Sequence, residues 1–215
     1  LIVARLQAGE TCALVSDAGM PAISDPGETL VAACAQAWIP VYVVPGPTAA
    51  RSALDLSGLP TGPFTFEGFL SVNKRGRKEH LEAVRGETRT MIFYEAPHKL
   101  RKTLSDFSKV FGPDRKIALC RELTKLHEEV WRTTVGEAAA HYREQEPRGE
   151  FVLVVAGGEA PAAPQQGYTL EEAAALAREL AAAGLSSSEA ARQAAQETGY
   201  RKSQLYTALL ESQSP

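Results

Sequence analysis

Short apolar runs alternate with amphipathic helical stretches along residues 11–156, and this alternation constrains the fold more than any other feature of the chain. Residues 11–15 read as a strand, 28–38 as a helix, 41–44 as a strand and 48–56 as a helix. A β-α-β-α order implies a mainly parallel sheet with helices on its faces, because parallel neighbours need a crossover connection. The pattern breaks at residues 61–73 into Gly, Pro and the aromatics Phe64, Phe66 and Phe69, which read as a hinge. A second α/β unit follows, with helices over 78–84, 98–111 and 136–145 and strands over 89–94, 116–120, 129–134 and 151–156. The strands around Glu122 and Trp131 read as antiparallel neighbours, so this second sheet is expected to be mixed. Residues 157–167 are a linker by composition, and the helical stretches 169–183, 186–198 and 202–212 form a C-terminal module. Thr169 with Glu172 is a capping box, and Ser186, Ser187 or Ser188 can cap the next helix. The expected domains are 1–66, 67–158 and 168–215.

With 215 residues, 44% of them hydrophobic, the chain can bury one large core or two small ones. Its net charge of −3 excludes a general polyanion binder, so any nucleic-acid contact must come from a local patch. Cys12, Cys34 and Cys120 lie far apart among apolar neighbours, without a CxxC pair or a Cys/His cluster. Neither a disulfide framework nor structural zinc is expected; they read as small core residues in a reducing, cytoplasmic compartment. No apolar run approaches the roughly 20 residues of a membrane-spanning helix. Residues 1–6 read as the last turns of a helix closed by Gly9, so a segment upstream is expected to be missing.

Four constellations can carry chemistry. The first is the loop 17–27, rich in small residues and holding Asp17 and Asp25, together with its counterpart Pro45-Gly46-Pro47-Thr48-Ala49. Two strand-end loops of one sheet open onto one crevice. Neither is GxGxxG or a P-loop, which disfavours nicotinamide and ATP. A rigid β–α connection is the plain alternative. The second is Met91-Ile92-Phe93-Tyr94-Glu95-Ala96-Pro97-His98, where a buried strand delivers Glu95 and His98 to its end, as an active site would or as a helix cap and a solvated histidine would. The third is Cys120-Arg121-Glu122-Leu123-Thr124-Lys125, whose polar groups must face a cavity or one another, since burying them unpaired costs several kcal/mol. The fourth is Lys74-Arg75-Gly76-Arg77-Lys78, a basic cluster in an acidic chain, which is a phosphate-backbone footprint or a solvated loop. The C-terminal helices read as a helix-turn-helix or as a small bundle or dimer contact.

Three segments, LVSDAGMPAISDPG, PGPTAA and TMIFYEAPHKL with ALCRELTKLHEEVWR, resemble the tetrapyrrole-methylase-like family, in its branch that modifies ribosomal RNA. The resemblance covers essentially the whole chain. It implies two α/β domains with S-adenosyl-L-methionine in the cleft between them, a homodimer, and 2′-O-methylation of a cytidine ribose in the 16S rRNA of the small ribosomal subunit. It implies that Asp17, Ala18, Gly19, Met20 and Ile23 line the cofactor, with Thr48 and Ala49 beneath. Tyr94, Glu95, Leu123, Thr124, Glu150 and Phe151 would close the cleft from the second domain. Glu95, His98 and Glu122 are the candidate general bases, and Lys74, Arg75, Arg77 and Lys78 the candidate RNA contacts. Met20 stands where the branch usually has Thr. The family's opening strand, its Gly-Thr-Pro-Ile-Gly-Asn-Leu loop and its Glu-Asp-Thr-Arg segment have no counterpart here, so weak cofactor binding and poor activity are expected of this chain alone. A methyltransferase acting on a small tetrapyrrole-like molecule and a non-catalytic RNA- or ribosome-binding fragment are the competing readings.

Overall fold

The computed structural model describes residues 1–158 and 168–211. Contacts divide the chain into two units, residues 1–158 and the C-terminal helices.

The first unit is built on a five-stranded sheet of order β1-β2-β5-β3-β4, with β1 Phe64–Phe69, β2 Thr90–Glu95, β3 Lys116–Arg121, β4 Glu129–Thr134 and β5 Phe151–Val155. β1 and β2 are parallel, and the remaining neighbours are antiparallel, so the sheet is mixed as expected. Its three inner strands are buried on both faces, which is why they read as continuous apolar runs. The two-residue period sorts the side chains. Met91, Phe93, Ile117, Leu119, Leu153 and Val155 meet one core, while Ile92, Ala118, Cys120, Val152 and Val154 meet the other.

Helices cover both faces. On the first, α5 (Pro97–Phe111) buries Leu100, Leu104, Phe107 and Phe111, a 3–4 spacing that follows the helical period. Pro97 opens this helix where a missing N–H costs nothing. α4 (Lys74–Ala83) and α6 (Val135–Glu144) share that core, and α6 starts from the Thr134–Glu137 capping box. On the second face, α3 (Ala49–Ser57) sets Ala53 and Leu54 against the sheet. Both guanidinium nitrogens that Arg132 uses donate to Leu56 O at the helix's C-terminal end, where a cation suits the dipole.

Three expectations change. Residues 11–15 and 41–44 form no strand among the described residues, and Val15, Tyr42, Val43 and Val44 are exposed. β-branched residues favour extended backbone, but a strand is stabilised by cross-strand partners, and none lies beside these segments. For the same reason Cys12 is exposed, while Cys34 and Cys120 are buried and burial pushes the Cys120 thiol up to about 11. The expected hinge at 61–73 instead holds β1, whose ladder with β2 runs through the boundary drawn between residues 66 and 67; a bulge sits where Gly68 takes φ +62°. The remaining N-terminal helices are α1 (Ile2–Gln7) and α2 (Glu28–Gln36).

In the second unit, α7 (Leu170–Ala182), α8 (Ser187–Thr198) and α9 (Lys202–Glu211) close over Ala173, Ala177, Ala190, Ala191, Ala194, Leu205 and Leu209. Alanines let these helices approach closely. Capping boxes form at Thr169–Glu172 and at Ser186–Glu189, so Ser186 is the cap among its neighbours. Gly199 ends α8 in the left-handed conformation. Residues 159–167 of the expected linker and 212 of the last expected helix lie outside the described residues.

Candidate active site

The register of the sheet brings one set of chain ends together. Glu95 pairs with Phe151, and Phe151 pairs with Arg121, so the ends of β2 and β3 and the start of β5 share one edge. The end of β1 joins them through the Phe69–Tyr94 pairing. Hence the backbone of Tyr94, Glu95, Glu122, Leu123, Thr124, Glu150 and Phe151 lies along one edge of the sheet.

The two loops also meet. Met20 N–H donates to Pro47 O at 3.0 Å, which seams the loop 17–27 to the loop 45–48. Gly19 makes the seam possible: its φ is +71°, and a Cβ there would lie 2.8 Å from Pro47 O. Ser16 Oγ donates to Gly19 O at 3.0 Å and stiffens the turn. Thr48 caps α3, its hydroxyl accepting from Arg51 N–H at 3.3 Å. Two residues on from Thr48, Ala50 N–H donates to the Tyr94 hydroxyl at 3.1 Å, tying the helix start to the end of β2. Phe66 and Phe69 meet the Tyr94 ring edge-on, at 5.0 and 5.6 Å between centroids. Burial first, and the charge of Asp25 after it, raise the Tyr94 hydroxyl above its ordinary value, against the Ala50 hydrogen bond.

Across the edge, Glu122 takes φ +50° and Thr124 φ +65°. Apart from Trp38, every described non-glycine residue with positive φ lies here or at Ala22 and Ser24 of the first loop. Such conformations cost about 1–3 kcal/mol each and persist where the surroundings impose them. The surroundings of Glu122 are specific. Its Oε1 accepts from Glu150 N–H at 2.8 Å and from Lys125 Nζ at 3.0 Å, and Lys125 also reaches Glu150 Oε2 at 2.9 Å. These bonds, the Glu150 N–H first and Lys125 next, hold the Glu122 carboxyl below the usual carboxylate range. Gly149, at φ +83°, leaves the room; a Cβ there would sit 2.6 Å from Glu122 Cγ.

The candidate bases therefore differ. Tyr94 faces α3, but Glu95 points to the opposite face of the sheet, buried at 3% exposure, its Oε1 accepting from Ala96 N–H at 2.9 Å and its Oε2 from the Thr103 hydroxyl. Phe151 turns to that same face, edge-on to Tyr142. Both contribute backbone, not side chain, to the α3 side of the edge. Glu122 is committed to its three-way clasp. His98, in the first turn of α5, is exposed and makes no hydrogen bond among the described residues. Asp17, Ala18, Ile23, Thr124 and Glu150 are exposed, while Met20, Thr48 and Leu123 are partly buried. The aromatic pair Phe66 and Phe69 was not expected at the site; their alternation with polar residues along β1 was the available signal.

The basic cluster divides. Lys74 and Lys78 are exposed, and Arg75 is paired with Glu79 at 2.8 Å. Arg77 departs from the expected solvent-facing contact: it is 5% exposed and donates to Asp106 Oδ2 and to Thr103 Oγ1, each at 2.7 Å.

The tetrapyrrole (corrin/porphyrin) methylase family matches residues 1–139, more than half of the chain. The chain belongs to the tetrapyrrole methylase family. This methylase is 48% identical over 210 residues to the ribosomal RNA small subunit methyltransferase I of Synechocystis sp. (strain ATCC 27184 / PCC 6803 / Kazusa), which covers 98% of this chain and 75% of that protein. It is 43% identical over 214 residues to the protein of the same name from Escherichia coli O157:H7, covering 99% of this chain and 73% of that one. A third relative so named, from Thermotoga maritima, is 44% identical over 158 residues, 74% of this chain and 70% of its own length.

Proposed function

We propose that this methylase transfers a methyl group from S-adenosylmethionine to the ribose 2′-hydroxyl of a cytidine in 16S ribosomal RNA of the small subunit, as a cytoplasmic homodimer. The observation that carries the reading is the sheet edge where the Met20–Pro47 seam, the start of α3 and the Tyr94 hydroxyl meet. The relatives' shared name supports small-subunit ribosomal RNA as the substrate. No helix among the described residues is long and apolar enough to cross a membrane.

The residues of this edge suit the donor. Gly19 and Pro47 bring two backbones within reach of one ligand, which a side chain at position 19 would obstruct. Asp17 offers a carboxylate for an ammonium group, the start of α3 offers its dipole to a carboxylate, and the Phe66–Tyr94–Phe69 group offers aromatic surface.

When bound, S-adenosylmethionine supplies an electrophilic methyl group on a positively charged sulfur. The work left to the chain is alignment and exclusion of water, worth up to roughly 7–11 kcal/mol when geometry is held well. The seamed loops and the capped α3 provide a stiff wall for it. The loop 45–48, which has no charged side chain, suits a cation whose charge is lost during transfer better than a second carboxylate would, since a strong anion stabilises the ground state. A ribose hydroxyl needs its proton removed, and a positioned base contributes about 10²–10⁴-fold. Of the three candidates, Glu95 and Glu122 are held by hydrogen bonds, whereas His98, next after Pro97 at the start of α5, is exposed and makes none among the described residues; the role is assigned to His98 on that ground.

Calorimetric titration of the full-length protein with S-adenosylmethionine tests the cofactor wall. A single site that Gly19→Val abolishes is expected; equal affinity in the two proteins contradicts it.

A further inference from the structure

Between α4 and α5, on the sheet face away from Tyr94, lies a groove of about 270 Å³. Its floor is apolar, with Leu81 and Val110, and its rims are basic. Lys74 and Lys78 stand on one side, Lys102 and Lys109 on the other, and each is exposed. The acidic residues of the groove are neutralised locally: Asp106 by Arg77 at 2.7 Å, and Glu82 by Arg85 at 2.7 Å. None of the four lysines has an ion pair among the described residues.

The spacing makes this a track. Residues 102 and 109 are seven apart on one helix face, about 10 Å along the axis, and residues 74 and 78 are one turn apart, about 6 Å. Two rows of uncompensated ammonium groups along a trough suit an extended polyanion better than one small anion, which needs converging donors. Arg77 contributes little to the field, because Asp106 cancels it.

We propose that the α4–α5 groove is a docking surface for the phosphate backbone of the RNA substrate. The inference rests on the RNA-methylating reading above and extends the contact surface to Lys102 and Lys109. The charge lies on a face distinct from the methyl-transfer edge, so the groove holds the RNA without touching the reacting ribose.

The test is binding of small-subunit ribosomal RNA by the full-length protein across a salt series, for the wild type, Lys102→Gln/Lys109→Gln and Lys102→Arg/Lys109→Arg. At about 0.7–0.9 per lost phosphate contact, the glutamine pair should lower the slope of log affinity against log salt by roughly 1.4–1.8. Affinity at low salt should fall about tenfold or more, with the arginine pair close to wild type. S-adenosylmethionine affinity should be unchanged in all three. An unchanged slope and affinity in the glutamine pair, with a wild type that binds and methylates the RNA, overturns the groove alone. A wild type that neither binds nor methylates it overturns the underlying reading and the groove together.

Discussion

Arg77 and Lys78 are neighbours in sequence and opposites in the fold. Arg77 is buried against Asp106 and Thr103, and Thr103 in turn donates to Glu95. Removing Arg77 leaves the partly buried Asp106 without its cation and Thr103 without a donor, so Arg77→Ala should destabilise the protein by about 1–3 kcal/mol. Lys78→Ala, at an exposed position, should stay within about 0.5 kcal/mol. Denaturant unfolding separates the two. Nothing local distinguishes them in the sequence, because the residues that bury Arg77 arrive 26 and 29 positions later. His98→Ala should reduce kcat by about 10²–10⁴-fold with S-adenosylmethionine affinity unchanged, as loss of a base does; an unaltered kcat removes His98 from the mechanism. Glu122 carries a pH prediction. Its carboxyl is held below the ordinary value of 4.5 in the fold, so its stabilisation is complete above that pH and is lost as the pH falls through the lower folded value. Glu122→Gln should flatten this part of the acid limb of thermal stability.

At the scale of elements, the best-read segments were those whose period matched their burial. β5 is apolar throughout and β2 is apolar over residues 91–93 because both faces are covered, and α5 shows its buried stripe plainly. Residues 11–15 and 41–44 have the composition of strands, yet a strand is a relation between two segments, and composition describes only one. β1 was missed for the opposite reason: Gly68 and the flanking prolines hid an alternation of Phe and polar residues that pairs with β2. The convergence of the site's backbone was legible from strand ends, but the side-chain directions of Glu95 and Phe151 depended on register. Helix α3 is the element that connects core to site. Leu54→Ala, at a position 1% exposed, should cost about 2–5 kcal/mol. Tyr94→Phe leaves Ala50 N–H without its acceptor and should cost about 1–3 kcal/mol. If Tyr94→Phe weakens cofactor binding more than Leu54→Ala does, the hydroxyl positions the start of α3.

At the scale of the molecule, the fold sets two surfaces apart. The sheet edge collects strained loops, the helix start and aromatic rings, while the α4–α5 groove collects free positive charge. Family membership and the names of the relatives speak for methyl transfer to ribosomal RNA; on the proposed reading the first surface carries the transfer and the second holds the RNA. The most direct measurement incubates the full-length protein with labelled S-adenosylmethionine and unmethylated small ribosomal subunits, then maps the label in the RNA. The account predicts incorporation at the 2′-oxygen of a single cytidine in 16S rRNA, lost in Gly19→Val. Label on a base, on protein or nowhere in the subunit would contradict it.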